Sequence, residues 1–222
     1  MIIATNQPIW VACGTDDTRP IQQFVNIEAT GEPENREGNL PAVAVALDGF
    51  VCAVVPCLLE PDDVPGLVHR EALQWARRCT RIRQSKHDDP RLMFTLNDDH
   101  LRLRNGMTIP RQNKGVGAEF PDWRTLLTKT FGPKPDDETH PFDVRAFNIA
   151  LFTKVCAAMG ATMVKTIQFS AKTPFLIEPI GAQYPKPPYA FVMPCRIDDG
   201  AMRRWRDYKP EPNGQAKDTV LP

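Results

Sequence analysis

The sequence of 222 residues lacks the features of a membrane-spanning or secreted protein. No apolar run approaches the ~18 residues of a membrane-spanning helix. The first residues, MIIATNQPIW, contain no basic segment followed by an apolar one, so they do not resemble a signal peptide. The formal net charge is zero, and a surface that binds a polyanion must therefore be a local patch. We expect a cytoplasmic globular protein with no membrane partner.

The signatures of common enzymes and metal sites are also missing. The sequence contains no P-loop, glycine-rich nucleotide loop or catalytic triad, and none of its six cysteines forms a C-x-x-C pair. Each cysteine stands among apolar neighbours, which favours a buried, reduced thiol over a metal ligand or a disulfide. We therefore predict no catalytic residue, no metal and no cofactor.

Two groups of histidine and aspartate leave an alternative open. They are KHDDP, which contains His87, and NDDH, which contains His100. Both fall where turns are expected, and Asp and Asn favour turns because their side chains bond to the nearby backbone. We favour a solvated loop at both places over a metal site or a small enzyme that uses His87 or His100.

One pattern occurs three times along the chain: a helical stretch followed by strand-like runs that turns separate. The first unit has a short helix over residues 8–13, then FVNIEA and AVAVALDGFVCAVVPC, in which Asp48-Gly49 predicts a hairpin. The second has a helix over 64–83 and three strands in RLMFTLNDDHLRLRNGMTIPR. The third has a helix from Asn148 to Met159, which Gly160 ends, and the strands TIQFSA, PFLIEPI and YAFVMP.

These units predict an α+β fold in which helices pack against antiparallel sheets. The stretch FGPKPDDETHP is rich in proline, which indicates a linker. We predict a two-unit domain over residues 1–127, a linker over 128–141, a half domain over 142–197 and a polar tail over 198–222. The tail shows no hydrophobic periodicity, and mobility is expected unless it docks on something.

The second helix concentrates positive charge on one face. Its predicted apolar face consists of Val68, Ala72, Trp75, Ala76, Cys79 and Ile82, and its opposite face of Arg70, Gln74, Arg77, Arg78 and Arg81. Six Lys or Arg residues and one acid, Glu71, lie between Arg70 and Lys86, which gives a local net charge of +5. A solvated face usually mixes both signs at i, i+4 spacing. The pattern therefore favours phosphate binding over a merely solvated face.

The third helix is apolar around nearly its whole circumference, with Thr153 and Lys154 as its polar interior positions. Such a helix is predicted to lie buried between layers, as core and not as recognition surface. The strand YAFVMPCRI that follows later ends at Pro194, because proline has no N–H for a strand ladder. That end is either a plain terminus or the lip of a groove.

Four stretches of the chain resemble, in family order, parts of the bacterial sliding clamp, the beta subunit of DNA polymerase III. DDTRPIQQFVNIEA with AVALDGFVCAVVPC is similar to the opening half of the clamp's middle domain, and NGMTIPRQNKGVGAEFPDW to its close. AFNIALFTKV is similar to a helix start in the last domain, and YAFVMPCRI to the terminal strand. The resemblance implies a DNA-clamp-like fold of three units, or one and a half clamp domains.

The resemblance further implies a hydrophobic groove that binds short linear peptides of DNA polymerase or of other replication and repair proteins. By position, its residues are Arg19, Leu47, Gly49, Phe50, Pro121, Trp123, Asn148, Val192, Met193, Pro194 and Arg196. Methionine and aromatic side chains around an apolar slot suit adaptable peptide binding. The chain departs from the family at Val51, Cys52, Trp123 and Cys195. Two interpretations of these residues therefore remain: they form a groove of altered specificity, or they belong to the core.

The predicted function is that of a processivity factor for DNA replication, without catalysis. It would bind double-stranded DNA through phosphates, independently of base sequence. The predicted contacts are Arg70, Arg77, Arg78, Arg81 and Arg83, with Lys154 from the third helix.

The short length of the chain favours a second interpretation. In that interpretation the chain is a clamp-fold interaction protein, from a phage or mobile element, which binds replication proteins or the host clamp and does not encircle DNA.

An odd number of units leaves one unpaired sheet edge per chain. We therefore expect a homo-oligomer that assembles through sheet edges.

Overall fold

The computed structural model of the protein describes residues 1–4, 7–81, 91–113, 119–125, 146–168, 174–181 and 187–195. The predicted linker and tail, as well as Arg83, His87 and Arg196, lie outside the described residues. Most of the described strands form one antiparallel sheet of eleven strands. Among the described residues, no helix is long and apolar enough to cross a bilayer. The α+β class is confirmed.

The first unit begins with β1 (Ile2–Ala4) and a 3-10 turn (Ile9–Ala12), where the sequence predicts a short helix. A second 3-10 turn (Pro20–Gln23) leads to β2 (Phe24–Ala29), and β3 (Leu40–Leu47) and β4 (Val51–Leu59) follow. The predicted hairpin at Asp48-Gly49 is confirmed. The Asp48 carboxylate accepts hydrogen bonds from the backbone N–H groups of residues 50 and 51, at 3.1 and 3.0 Å.

The second unit contains β5 (Gly66–His69), α1 (Arg70–Arg81), β6 (Arg91–Leu96), β7 (His100–Leu103) and β8 (Thr108–Pro110). The last three strands are antiparallel neighbours, as predicted. The prediction that the helix starts near residue 64 is wrong, because residues 66–69 pair with β2 instead. A backbone partner far away in the sequence therefore overrides the local helical pattern.

The third unit contains β9 (Ala146–Phe147), α2 (Ile149–Met159), β10 (Val164–Ile167), β11 (Phe175–Pro179), β12 (Tyr189–Val192) and β13 (Pro194–Cys195). The predicted bounds of α2 are confirmed: the Asn148 side chain accepts a bond from the N–H of Ala150, and Gly160 adopts a left-handed conformation. The predicted strand end is also confirmed, because β12 stops at Val192. Pro194 instead pairs with Phe147 in a separate two-stranded sheet.

Strand β4 joins the units into one sheet. It pairs with β3 along its length on one side, whereas its other side pairs with β12 over residues 51–54 and with β1 at Leu58. Pro56 lies between these two pairings, where its missing N–H leaves no ladder bond unmade. The third unit thus continues the sheet of the first, and the predicted division into domains stays a prediction.

The hydrophobic core has two parts, one on each face of the sheet. The larger part lies between the sheet and the helices, where β3 contributes the small side chains Ala42, Ala44 and Ala46. Alternate residues of the same strands form the second cluster on the opposite face, with Trp123 packed among them. This alternation follows from the two-residue period of a strand.

Helix α2 covers the sheet with one side only. Val155, Ala158 and Met159 are buried, whereas Ile149 is 68% exposed and Thr153 is exposed. The prediction that this helix is buried between layers is therefore wrong. The apolar composition of a helix indicates that it packs against a core, but it does not indicate how many layers pack around it.

Arg111 joins β5, the segment just before it and the turn after β6. Its side chain is only 1% exposed, and it donates hydrogen bonds to the backbone carbonyl oxygens of Leu67, Val64 and Asn97 at 2.6, 2.9 and 2.8 Å. Gly66 permits this approach: its φ is 123°, and a Cβ there would lie 2.9 Å from Arg111 Nη2. Burial lowers the pKa of the Arg111 guanidinium, and the negative charges of nearby aspartates offset part of this effect by raising it.

The Arg111 contacts give a prediction about stability. Arg111→Met removes three hydrogen bonds of a buried guanidinium to part-buried carbonyl groups, so we expect the free energy of unfolding to fall by more than ~3 kcal/mol. Arg102→Met is the matched control, because Arg102 is exposed on β7, and it should change stability by less than ~0.5 kcal/mol. Urea unfolding measures both variants. Equal, small losses would show that the Arg111 bonds contribute little.

Candidate nucleic-acid and peptide interfaces

Helix α1 packs on the sheet through Ala72, Leu73 and Ala76, each no more than 1% exposed. The prediction that Trp75 belongs to this buried face is wrong, because Trp75 is 55% exposed. The predicted face included Val68, which lies in β5, and omitted Leu73. With Leu73 in the core, the helix turns Trp75 out into the solvent.

The arginines of α1 lie in different environments. Arg70 and Arg77 are half-buried, contrary to the prediction that they face away from the core. Arg70 Nη1 donates to the carbonyl oxygen of Gly14 at 3.3 Å, and the Arg77 guanidinium lies 5.5 Å from the centre of the Trp10 ring. The cause is the 3-10 turn at residues 9–12, which packs beside α1.

Arg78 faces away from the core, as predicted, and its side chain is exposed. Its guanidinium lies 5.8 Å from the centre of the Trp75 ring. Arg81 ends the helix, but its side chain lies outside the described residues, as does the whole of Arg83.

Lys154 projects from α2 toward the hairpin between β3 and β4, where it forms an ion pair with Asp48. Arg70 and Lys154 both lie near the buried thiol of Cys13, and their charges partly oppose the effect of burial, which raises the pKa of Cys13 to about 12. Lys154 is therefore already neutralised by an acid of its own chain. This ion pair makes its charge less available to a phosphate.

All six cysteines were predicted to be buried, and Cys13, Cys52 and Cys57 are, whereas Cys79 and Cys156 are only half-buried. The side chain of Cys195 lies outside the described residues. Burial raises the pKa of Cys52 and of Cys57 to about 12 as well. These thiols are protonated at neutral pH, which is unsuited to nucleophilic or metal-binding chemistry.

The turn after Asp48 and the end of β12 meet at one corner of the sheet. The backbone N–H of Met193 donates to the carbonyl oxygen of Phe50 at 3.0 Å, and the two side chains are 43% and 61% exposed. Pro194 pairs with Phe147, which directly precedes Asn148. The structure thus brings several predicted groove residues together. They are Gly49, Phe50, Asn148, Met193 and Pro194, with the exposed Arg19 close to Gly49.

Other predicted groove residues pack into the core. Trp123 is 5% exposed and shares the second cluster with Leu47, and its Nε1 donates to Glu28 at 3.2 Å. Val192 is fully buried on the helix side of the sheet, and Pro121 is half-buried. The predicted set therefore divides into an exposed corner and buried supports, while Arg196 lies outside the described residues.

Sequence reasoning missed Ile149, which it assigned to the core. Ile149 follows Asn148 at the same corner and is 68% exposed. Ile149 is the first residue after the N-cap, where no earlier helical turn covers the side chain. This position in the sequence was the signal from which its exposure could have been predicted. We call Phe50, Met193 and Ile149 the apolar corner.

The turn predicted at NDDH lies at residues 97–99, whereas His100 is the first residue of β7 and pairs with Pro110. The ring nitrogens of His100 contact the side chains of Asp99 and Asn97 at 2.6 and 2.7 Å. In the part of the chain that the structure describes, no three metal-binding side chains lie together.

Comparison with known proteins gives a uniform result for the fold. The structure matches DNA polymerase sliding clamps from Pseudomonas aeruginosa (TM-score 0.55, 16% identity, 89% of this chain and 66% of that one) and Thermotoga maritima (0.59, 15%, 89% and 65%). It also matches the clamp from Bartonella birtlesii bound to griselimycin (0.58, 13%, 88% and 66%). No protein-family model and no curated protein matches the sequence.

These matches confirm the sliding-clamp fold that the sequence resemblance implies. At 13–16% identity they show the fold alone. The chain spans about two thirds of the length of the clamps that it matches.

Proposed function

We propose that this chain, which has the fold of the bacterial sliding clamps, binds DNA independently of sequence and docks replication proteins, without catalysis. The observation that carries the proposal is the charge of α1, which has four arginines and one glutamate in twelve residues. The whole chain has no net charge. A concentrated positive surface on a clamp fold complements a phosphate backbone.

Arg78 is the principal contact in this proposal, because its side chain is exposed. Arg70 and Arg77 support it from fixed positions, since Gly14 and Trp10 hold their guanidinium groups. Contacts with phosphates carry no base information, so the protein is free to slide along the duplex.

Replacing Arg78 tests the DNA contact. We expect Arg78→Glu to weaken duplex binding and to reduce the slope of log K against log salt by about 1, the value for one lost phosphate contact. Arg104→Glu is the control, because Arg104 is equally exposed but follows β7. Fluorescence anisotropy over a salt series measures both variants. Wild-type affinity that does not change between low and moderate salt contradicts phosphate binding.

The apolar corner is the proposed docking surface for short peptides. Its three large side chains are exposed and adjoin a strand end held by backbone bonds. Methionine and phenylalanine adapt to apolar ligand side chains, and a pre-ordered backbone lowers the entropy cost of binding. Trp123 is buried on the face of the same sheet that lies opposite the helices.

A peptide with a glutamine followed by spaced leucine and phenylalanine should bind at the apolar corner. We expect Met193→Ala and Phe50→Ala to weaken this binding by roughly 1–3 kcal/mol, as for an anchor contact. Met163→Ala is the matched control, because Met163 is 63% exposed and precedes β10. Isothermal calorimetry gives the affinities.

Stability separates a docking residue from a core residue in these variants. Met193→Ala should cost less than ~1 kcal/mol of unfolding free energy, whereas Trp123→Ala should cost ~3–5 kcal/mol because its ring is buried. A wild-type protein without any peptide affinity would reduce the apolar corner to a feature of the fold.

A second candidate function is that of an interaction protein that binds replication proteins or the host clamp and does not encircle DNA. An exposed sheet edge favours it, because such an edge can pair with a strand of another chain. Within the described residues, β10 pairs only with β11, and residues 165–167 of β10 are exposed. We propose that copies associate through this sheet edge.

The mass in solution distinguishes the two candidates. Light scattering should give the mass of two or more chains, with and without duplex DNA. Ile167→Lys places a charge on the β10 edge and should shift the protein toward the monomer while its thermal unfolding stays the same. A strictly monomeric wild type, with DNA present, excludes encircling and supports the interaction protein.

A further inference from the structure

We propose that Trp75 stacks on an unpaired base, so that α1 binds single-stranded DNA as well as duplex phosphates. The inference rests on the proposed function, because it uses the same helix and extends its DNA contacts from phosphates to bases. Its ligand is a DNA strand with exposed nucleobases, as found where a duplex ends in a single strand.

The exposure of Trp75 is the first observation. Its side chain is 55% exposed, whereas Trp10 and Trp123 are 6% and 5% exposed and pack into the two clusters. The core under α1 is filled by Ala72, Leu73 and Ala76 instead. The fold therefore does not need the indole of Trp75 as a packing group, and most of the ring remains available to a ligand.

The charge beside Trp75 is the second observation. The Arg78 guanidinium lies 5.8 Å from the centre of the indole ring, and α1 carries a net charge of +3 from four arginines and one glutamate. A strand that stacks one base on Trp75 places its flanking phosphates near this positive charge. An aromatic ring with adjacent cations is the arrangement by which proteins hold single strands regardless of sequence.

The polar neighbours of Trp75 argue against a protein surface as the occupant. The other exposed residues on the same side of α1 are Glu71, Gln74 and Arg78. A protein partner would bury these groups around the indole and would have to satisfy each of them. A nucleic acid instead pairs the arginine with a phosphate and stacks a flat base on the ring.

The test compares Trp75→Leu with Trp75→Phe. Leucine keeps an apolar side chain without a π-face, whereas phenylalanine keeps the face. Fluorescence anisotropy measures binding to fluorescein-labelled oligo(dT) and to a duplex of equal length. We expect Trp75→Leu to weaken oligo(dT) binding roughly 5- to 150-fold, the value of one stacked base, and Trp75→Phe to retain most of the affinity. Duplex affinity should stay within about twofold for both variants, because phosphate contacts do not involve the ring.

The outcomes separate this inference from the proposed function. Unchanged oligo(dT) binding by Trp75→Leu, or an equal loss for oligo(dT) and duplex, overturns base stacking. Oligo(dT) binding that depends on Trp75, in a protein that does not bind duplex, supports the inference and overturns the proposed duplex contact. A wild-type protein that binds neither probe overturns both. Thermal unfolding of each variant shows that the losses do not come from misfolding, as the exposure of Trp75 leads us to expect.

Discussion

The double use of β4 is the constraint on which the rest of the structure depends. One edge of this strand carries β3 along its length, and the other edge carries β12 and then β1. Without the β12 pairing, the third unit would leave the sheet, and the apolar corner would lose the backbone bond between Met193 and Phe50. Pro56 stands in the one stretch where β4 pairs with neither of its partners on that edge.

The two proposed surfaces lie on different elements, one on α1 and the other at the apolar corner. Helices α1 and α2 cover one face, and the second cluster with Trp123 covers the other. The apolar corner lies at the end of the strands, where a turn and a chain reversal leave side chains without a layer above them.

Several charged side chains serve structure before they serve binding. Lys154 is paired with Asp48, Arg70 is held by a carbonyl oxygen, and Arg77 lies against Trp10. These contacts reduce the free charge of the helix face but fix the positions of the groups that remain. A count of arginines in the sequence therefore overstates the charge available to a phosphate, and the environment of each one has to be known.

The sequence by itself determined the local features of this protein. The hairpin at Asp48-Gly49, the bounds of α2 between Asn148 and Gly160 and the strand end before Pro194 all follow from the conformational preferences of a few adjacent residues. The likeness to sliding clamps could also be recognised from four short stretches in family order.

Only the tertiary structure decided that residues 66–69 form a strand, that Trp75 faces the solvent and that Arg111 is buried. Each of these depends on parts of the chain that are distant in the sequence: β2 for residues 66–69, the core on which Leu73 packs for Trp75, and the carbonyl oxygens of Val64, Leu67 and Asn97 for Arg111. Local preference cannot specify such partners, because the free energy of burial and of backbone pairing arises only when the chain has brought them together.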